Sequence, residues 1–213
     1  MIDNVTLKLC RLPRNYRLGG KVKILYETSA NTCKAQLKNM VIFKNLNSLT
    51  ILGSLAKYLH NENMTPLNRE GVKQAIKKLE RDIGLRLNCA FVCSVEFGAS
   101  IITKEKPFEY LCLFENTKRL TRHEASKLTG IETVAYSSDT GAFGFIGYDK
   151  TKEMEKRKQD IPQLFFNTNV LRLEYKIRQR RGIEAKFNGD LLAYNLFDGK
   201  VYKRFQELWT LPH

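Results

Sequence analysis

The strongest β pattern in the chain lies at residues 169–178, which read NVLRLEYKIR. Apolar and charged side chains alternate there with a period of two, as in a strand that buries only one face. The apolar face comprises Leu171, Leu173, Tyr175 and Ile177. The polar face comprises Arg172, Glu174, Lys176 and Arg178. The segment therefore predicts a half-buried strand that presents one carboxylate among several cations.

A Gly-rich hairpin precedes this strand and ends in a tyrosine. Residues 134–138, VAYSS, and 142–148, AFGFIGY, predict two strands joined by a turn at DTG. A basic helix is expected to follow over about residues 150–160, with Asp149 as its N-cap. Tyr148 would then lie beside the start of this helix, where free amides attract phosphate groups.

The remaining segments predict further strands and several helices. The first fifty or so residues alternate in short runs, which favours an antiparallel meander. The run AFVCSVEFGASII at 90–102 is typical of a central strand and carries a single charge, Glu96. The clearest helix is expected between an Asn68 cap and Gly84. Other helices are expected at 107–115, at 121–130 with Thr121 and Glu124 as a capping box, and at 199–209.

Together these elements predict an α+β fold. We expect a central antiparallel sheet of about five or more strands with helices packed mainly on one face. One domain is expected over residues 1–213, because the chain contains no clear linker, repeat or low-complexity stretch. The polar face of the sheet would carry both Glu96 and Glu174.

The charge of the chain indicates a polyanionic partner. The 213 residues include 36 Lys and Arg against 22 Asp and Glu, a formal net charge of +14. Nucleic acid is the commonest partner for such a surface. No apolar run is long enough to span a membrane and no secretory signal is visible, so we expect a cytoplasmic protein with reduced cysteines and no membrane partner.

Three positions could together cut a nucleic-acid strand. Adjacent strands would hold the carboxylates of Glu96 and Glu174 within reach of one Mg²⁺ or Mn²⁺ ion. Tyr148 would be the nucleophile, with Lys150 and Lys152 stabilising its phenolate. Each residue also has an ordinary interpretation: a strand-end tyrosine is commonly structural, and a sheet face with alternating charges is commonly solvated and paired across strands.

The chain resembles the phage and plasmid rolling-circle replication initiators related to the filamentous-phage gene II proteins. The opening MIDNVTLKL is similar to the start of that family, and SVEFGASI stands where the family has an Arg-Ile-Asp strand. GYDKTKEM matches its Tyr-x-Lys segment, and NVLRLEYKIR resembles its Leu-x-Arg-Phe-Glu strand. One departure is a Glu at the family's aspartate position. Another is the lack of a His-hydrophobe-His pair among His60, His123 and His213.

This resemblance implies a metal-dependent DNA-nicking and strand-joining enzyme that acts at a replication origin. It implies that Tyr148 forms a 5′-phosphotyrosyl bond and frees a 3′-OH, with Glu96 and Glu174 as metal ligands. The strand residues expected to hold DNA are Arg172, Lys176 and Arg178. The expected partners are origin DNA, single-stranded or supercoiled, and a host helicase in the bacterial cytoplasm. Because family members are often longer, the chain is expected to be a short or truncated one.

Two other functions fit the same residues. A plasmid mobilisation relaxase would use the same chemistry at a different DNA site. A non-catalytic module would only bind single-stranded nucleic acid through its basic sheet face. Tyr136, on the same hairpin as Tyr148, is the alternative nucleophile.

Overall fold

The computed structural model of the chain describes residues 2–29, 32–65, 67–116, 120–127 and 130–210. Within these ranges ten strands form one antiparallel sheet, in the order β2-β3-β4-β5-β1-β6-β10-β9-β8-β7. The strands are β1 Ile2–Leu9, β2 Lys23–Ser29, β3 Thr32–Leu37, β4 Met40–Lys44, β5 Leu49–Ser54, β6 Phe91–Thr103, β7 Thr121–Lys127, β8 Gly130–Ser137, β9 Phe143–Asp149 and β10 Asn169–Ile177. The predicted α+β class and antiparallel sheet are confirmed.

Six α-helices accompany the sheet in the described part of the chain. They are α1 Leu55–His60, α2 Arg69–Ile83, α3 Pro107–Leu111, α4 Lys150–Lys156, α5 Arg180–Phe187 and α6 Gly199–Thr210. Two short 3₁₀ turns lie at Gln163–Phe165 and Ala193–Phe197. None of the helices in these ranges is long and apolar enough to cross a membrane.

The predicted alternation of β10 is the basis of the two faces of the sheet. Tyr175 pairs with Phe97 of β6, and both rings lie in the main core. On that face Phe97 also packs against Phe205 of α6, with ring centroids 4.6 Å apart. The core helices, α2, α5 and α6 among them, therefore cover the apolar face, as expected. α4 instead packs over one end of the polar face, where its Met154 contacts Val170.

Helix α2 has the predicted amphipathic pattern and caps. Its buried residues are Val72, Ala75, Ile76, Leu79, Asp82 and Ile83. The Asn68 side chain accepts a hydrogen bond from the Gly71 amide at 2.8 Å, which satisfies a free donor of the first turn. Gly84 ends the helix with φ 70°, a left-handed conformation that glycine adopts without strain.

Three of the helix predictions differ from the structure, one in type and two in extent. Residues 121–127 form strand β7, which pairs with β8, and Gly130 begins β8 rather than ending a helix. The Thr121 and Glu124 capping signal is local, and pairing along β8 overrides it. The helix expected at 107–115 comprises only Pro107–Leu111, and the one expected at 150–160 ends at Lys156.

Candidate functional site

A cleft of about 370 Å³ opens on the polar face, where β1, β6, β10 and β9 meet the start of α4. Eight charged side chains line it. The acidic ones are Asp3, Glu96, Glu153 and Glu174. The basic ones are Lys57, Lys150, Arg157 and Lys176. The cleft therefore combines buried carboxylates with a comparable number of cations, as expected for a site that handles a charged ligand.

Tyr148 and Glu174 meet inside this cleft. Arg172 of β10 pairs directly with Tyr148 of β9, which puts Glu174 one pleat along on the same face. The Tyr148 hydroxyl donates a hydrogen bond to Glu174 Oε1 at 2.9 Å. Burial and the Glu174 carboxylate raise the pKa of Tyr148 far above its ordinary value, so the phenol is neutral in the free protein.

Glu174 is held by two cations besides this hydroxyl. Arg172 Nε lies 3.3 Å from Glu174 Oε1, and Lys176 Nζ lies 3.1 Å from Glu174 Oε2. Burial alone would raise the pKa of Glu174, but Lys176 and Arg172 hold it below its ordinary value. Burial would likewise lower the pKa of Lys176, yet Glu174 and Glu96 hold it above its ordinary value. Both groups are thus charged at neutral pH.

Lys176 occupies the space between the two carboxylates that were expected to bind a metal ion. Its Nζ lies 3.1 Å from Glu96 Oε1 and 3.1 Å from Glu174 Oε2. The other Glu96 oxygen accepts a hydrogen bond from Asn4 Nδ2 at 2.8 Å. Within the described ranges, no cluster of three or more His, Cys, Asp or Glu side chains could hold a metal ion. As arranged, these donors do not fit Mg²⁺ or Mn²⁺, and a metal requirement stays a prediction.

Arg172 lies inside the sheet rather than on the surface that DNA could reach. Its side chain is fully buried, at 0% exposure. Arg172 Nη2 lies 3.2 Å from Asp3 Oδ2, and Arg172 Nη1 donates to Ser100 Oγ at 3.0 Å. This placement does not support the expected contact with DNA, and it makes Arg172 a residue that positions Glu174.

Asp3 and Glu153 are the two acidic residues of the cleft that were not among the candidates predicted from the sequence, and Asp3 is the more deeply placed of them. It accepts hydrogen bonds from Ser54 Oγ and, at 3.1 Å, from Asn63 Nδ2, besides the contact with Arg172. A shift in register between β1 and β6 next to Asp3 interrupts the alternation of β1. The available signal was a carboxylate in the first strand, which was expected to belong to the meander but pairs with β5 and β6.

Lys150 and Lys152, the two lysines expected to stabilise the Tyr148 phenolate, make different contacts. Lys150 is buried, and its Nζ lies 2.7 Å from Glu153 Oε2, 3.0 Å from Asn63 Oδ1 and 5.9 Å from the centroid of the Tyr148 ring. The backbone amide of Lys152 donates a hydrogen bond to Asp149 Oδ1 at 3.0 Å. Asp149 is therefore the N-cap as predicted, and it takes up an amide that was expected to face phosphate.

A group of crowded cations lies beside Lys150. Burial lowers the pKa of Lys57, and the nearby charges of Lys150 and Arg157 lower it further. Glu153 partly compensates them, since its Oε1 lies 2.6 Å from Arg157 Nε. An incoming anion would relieve this repulsion, so this side of the cleft favours a phosphate group.

The remaining candidate residues lie at different distances from the cleft. Arg178 is exposed on the polar face, and its guanidinium lies over Gly144, where a Cβ would come within 3.0 Å of Nη2. Tyr136 is buried on the face opposite the cleft and donates to the Glu115 carbonyl at 2.7 Å, so its placement does not favour it over Tyr148 as the nucleophile. His123 lies on β7 with Nε2 3.1 Å from Ser137 Oγ, and His213 is outside the described residues.

Comparison with known proteins finds a distant structural likeness. No protein-family model matches the sequence, and no curated protein matches it. Among solved structures, the chain is similar to the rolling circle replication initiator protein from Geobacillus stearothermophilus. The two are 9% identical with a TM-score of 0.49, over 88% of this chain and 77% of that chain. At that score the likeness carries no argument about the chemistry of the cleft.

Proposed function

We propose that this chain is a DNA-nicking and strand-joining initiator of rolling-circle replication, with Tyr148 as its nucleophile. The observation that carries the proposal is the 2.9 Å hydrogen bond from the Tyr148 hydroxyl to Glu174 in an open, cation-lined cleft. A hydroxyl nucleophile next to a proton acceptor is the arrangement that covalent catalysis requires. The net charge of +14 and the motif resemblance favour DNA as the substrate.

In the proposed reaction the Tyr148 oxygen attacks the phosphorus of a phosphodiester. The bond from phosphorus to the 3′ oxygen breaks, so the fragment upstream of the cut leaves with a 3′-OH, and the 5′ phosphate of the downstream fragment becomes a phosphotyrosyl ester. The phenol proton passes to Glu174, and the departing 3′ oxygen takes a proton from solvent. Strand joining is the reverse, since a 3′-OH attacks the ester and the phenol regains its proton.

Substrate binding would activate Tyr148 through Lys176. In the free protein Lys176 and Arg172 keep Glu174 a weak base, and Tyr148 stays protonated. A phosphate in the cleft would attract the Lys176 ammonium away from the two carboxylates. The pKa of Glu174 would then rise towards its ordinary value, which makes it a better acceptor for the phenol proton. The same ammonium would balance the charge that develops on the phosphate.

Mg²⁺ or Mn²⁺ is the cofactor that the resemblance implies. The proposed setting is the cytoplasm of a bacterial host, with origin DNA and a host helicase as partners.

The test is formation of a covalent adduct between the protein and 3′-labelled single-stranded oligonucleotides of random sequence. Reactions contain Mg²⁺, Mn²⁺ or EDTA, and adducts are separated under denaturing conditions. Wild type is expected to give a labelled protein band that Tyr148→Phe lacks and that the exposed control Tyr194→Phe keeps. An adduct of equal yield with Tyr148→Phe would show that another residue is the nucleophile.

A second candidate is a non-catalytic module that binds single-stranded nucleic acid. The observation in its favour is that Lys176 pairs with both Glu96 and Glu174, as in a structural network. This function predicts salt-sensitive binding without any adduct, with either ion or with EDTA.

A plasmid mobilisation relaxase would form the adduct but prefer a transfer origin to a replication origin.

A further inference from the structure

A row of side chains crosses the polar face on the six strands from β2 to β6. Direct cross-strand pairs connect each member to the next, so all of them share one face. The members, in spatial order, are Tyr26, Lys34, Phe43, Thr50, Lys8 and Phe91. We call this set the outer row. It contains three aromatic rings and two lysines, with Lys34 between the first two rings and Lys8 next to the third, a pattern that the candidate cleft does not contain.

The two outermost rings are open to solvent. Tyr26 is 53% exposed and Phe43 is 38% exposed, although large aromatic side chains on a sheet usually pack under another layer. Lys34 lies between them, with its Nζ 5.9 Å from the Tyr26 centroid and 5.6 Å from the Phe43 centroid. The two rings are two strands apart, which corresponds to roughly 10 Å. This spacing leaves room for a planar group on each ring.

The charge along the outer row is positive. Within the described ranges neither Lys8 nor Lys34 forms an ion pair, and no member of the row is acidic. The next row towards the cleft is also free of acidic side chains among the described residues: Lys23, Gln36, Val41, Leu52, Thr6 and Ser94.

The Phe91 end of the row is different. Arg180 covers the Phe91 ring at 4.2 Å and is itself paired with Glu184 and Asp190. The open part of the row therefore extends from Tyr26 to Lys8.

We propose that the outer row binds single-stranded nucleic acid, with bases stacked on Tyr26 and Phe43 and phosphates held by Lys34 and Lys8. Stacking needs unpaired bases, because a duplex hides the faces of its bases, so the exposed rings favour a single strand. The inference rests on the proposed function only for the class of ligand. It adds a surface on which the strand is held before it reaches Tyr148.

The outer row and the cleft belong to one continuous surface. In β1 the side chains of Lys8, Thr6 and Asn4 share a face, and Asn4 donates to Glu96 at the edge of the cleft. Lys8 and Asn4 are four residues apart, which corresponds to roughly 13 Å along a strand. A single-stranded nucleic acid bound on the outer row can therefore continue over Thr6 and Ser94 into the cleft.

The test is equilibrium binding of a fluorescein-labelled dT₂₀ oligonucleotide without divalent ions, measured by anisotropy over a range of salt concentrations. Tyr26→Ala and Phe43→Ala are each expected to raise the Kd about fivefold or more, as for loss of one stacked base. Tyr26→Phe keeps the ring and should bind like wild type. The slope of log K against log salt, where K is the association constant, is negative. The double variant with Lys8→Gln and Lys34→Gln should make this slope shallower by about 1.4, since each phosphate contact with a single strand contributes about 0.7.

Matched controls lie elsewhere on the surface. Tyr194→Ala removes an equally exposed tyrosine, and Lys200→Gln removes an exposed lysine of α6. Both should bind dT₂₀ like wild type, and circular dichroism should show that all variants remain folded.

Several results would overturn the proposal. One is a Kd for Tyr26→Ala and Phe43→Ala within twofold of wild type. A second is an equal loss of affinity for a blunt duplex of the same length. A third is a difference in oligomeric state between wild type and these variants in gel filtration, which would mean that the row is a contact between copies of the chain. Failure of the adduct test would leave this result unchanged, because binding is measured without cleavage.

Discussion

Replacing Arg172 by Leu should remove the cation that neutralises the buried side of the cleft. The Arg172 side chain has 0% exposure and contacts Asp3 at 3.2 Å and Glu174 at 3.3 Å, carboxylates that are themselves almost fully buried. Leu would leave Asp3 hydrogen-bonded to the neutral Ser54 and Asn63, and Glu174 paired with Lys176. Loss of one partner from a buried ion pair typically costs about 3–5 kcal/mol of unfolding free energy.

This cost is a large part of the stability of an ordinary domain, about 5–15 kcal/mol. The measurement is urea unfolding at pH 7, followed by circular dichroism and compared at equal m-values. The matched control is Arg178→Leu, which removes an exposed arginine from the same face and should cost less than about 1 kcal/mol. If the two variants are equally stable, the buried network does not depend on Arg172, and its role in positioning Glu174 is refuted.

Three other substitutions test the same region. Gly98→Ala would bring a Cβ within 2.1 Å of the Leu173 carbonyl, so we expect a loss of about 1–3 kcal/mol in urea unfolding, whereas Gly20→Ala, which meets nothing within 4 Å, should have little effect. Because cations depress the folded-state pKa of Glu174, its stabilising contribution is present above the ordinary carboxyl pKa of about 4.3 and is lost as the pH falls through the folded-state pKa. The difference in unfolding free energy between wild type and Glu174→Gln should therefore shrink in acid, and a constant difference down to pH 2 would contradict the depressed pKa. Lys176→Met should remove the ammonium that lies between Glu96 and Glu174. Mn²⁺ binding, measured by isothermal titration calorimetry, should then become at least about tenfold tighter, because no cation competes for the two carboxylates. Unchanged binding would mean that these carboxylates do not form a metal site even when free.

The sequence was most informative where a local pattern alone decides the structure. The alternation in residues 169–178 predicted the polar face of β10, and the spacing of apolar residues between Asn68 and Gly84 predicted α2. Tyr148 and Glu174 were both selected as candidates, and the structure brings them together.

Other features depend on pairing that no local pattern contains. The register that puts Lys176 opposite Glu96 decides that an ammonium, rather than open space, separates the two carboxylates. Asp3 joins the cleft only because β1 lies next to β6, about ninety residues later in the chain. The segment Thr121–Lys127 was predicted to be a helix because its residues resemble a helix cap. Its strand conformation is set by pairing with β8, which the cap-like residues do not indicate.

The order of strands in the sheet also has a consequence for synthesis on the ribosome. The first strand is central, with β5 on one side and β6 on the other, and β6 in turn pairs with β10. Domains tend to fold from the N-terminus as the chain emerges. The five strands from β2 to β1 can assemble early, and β6 then completes the outer row. The cleft must wait for β9 and β10, so under the two proposals above a nascent chain would form its nucleic-acid-binding surface well before its cutting site.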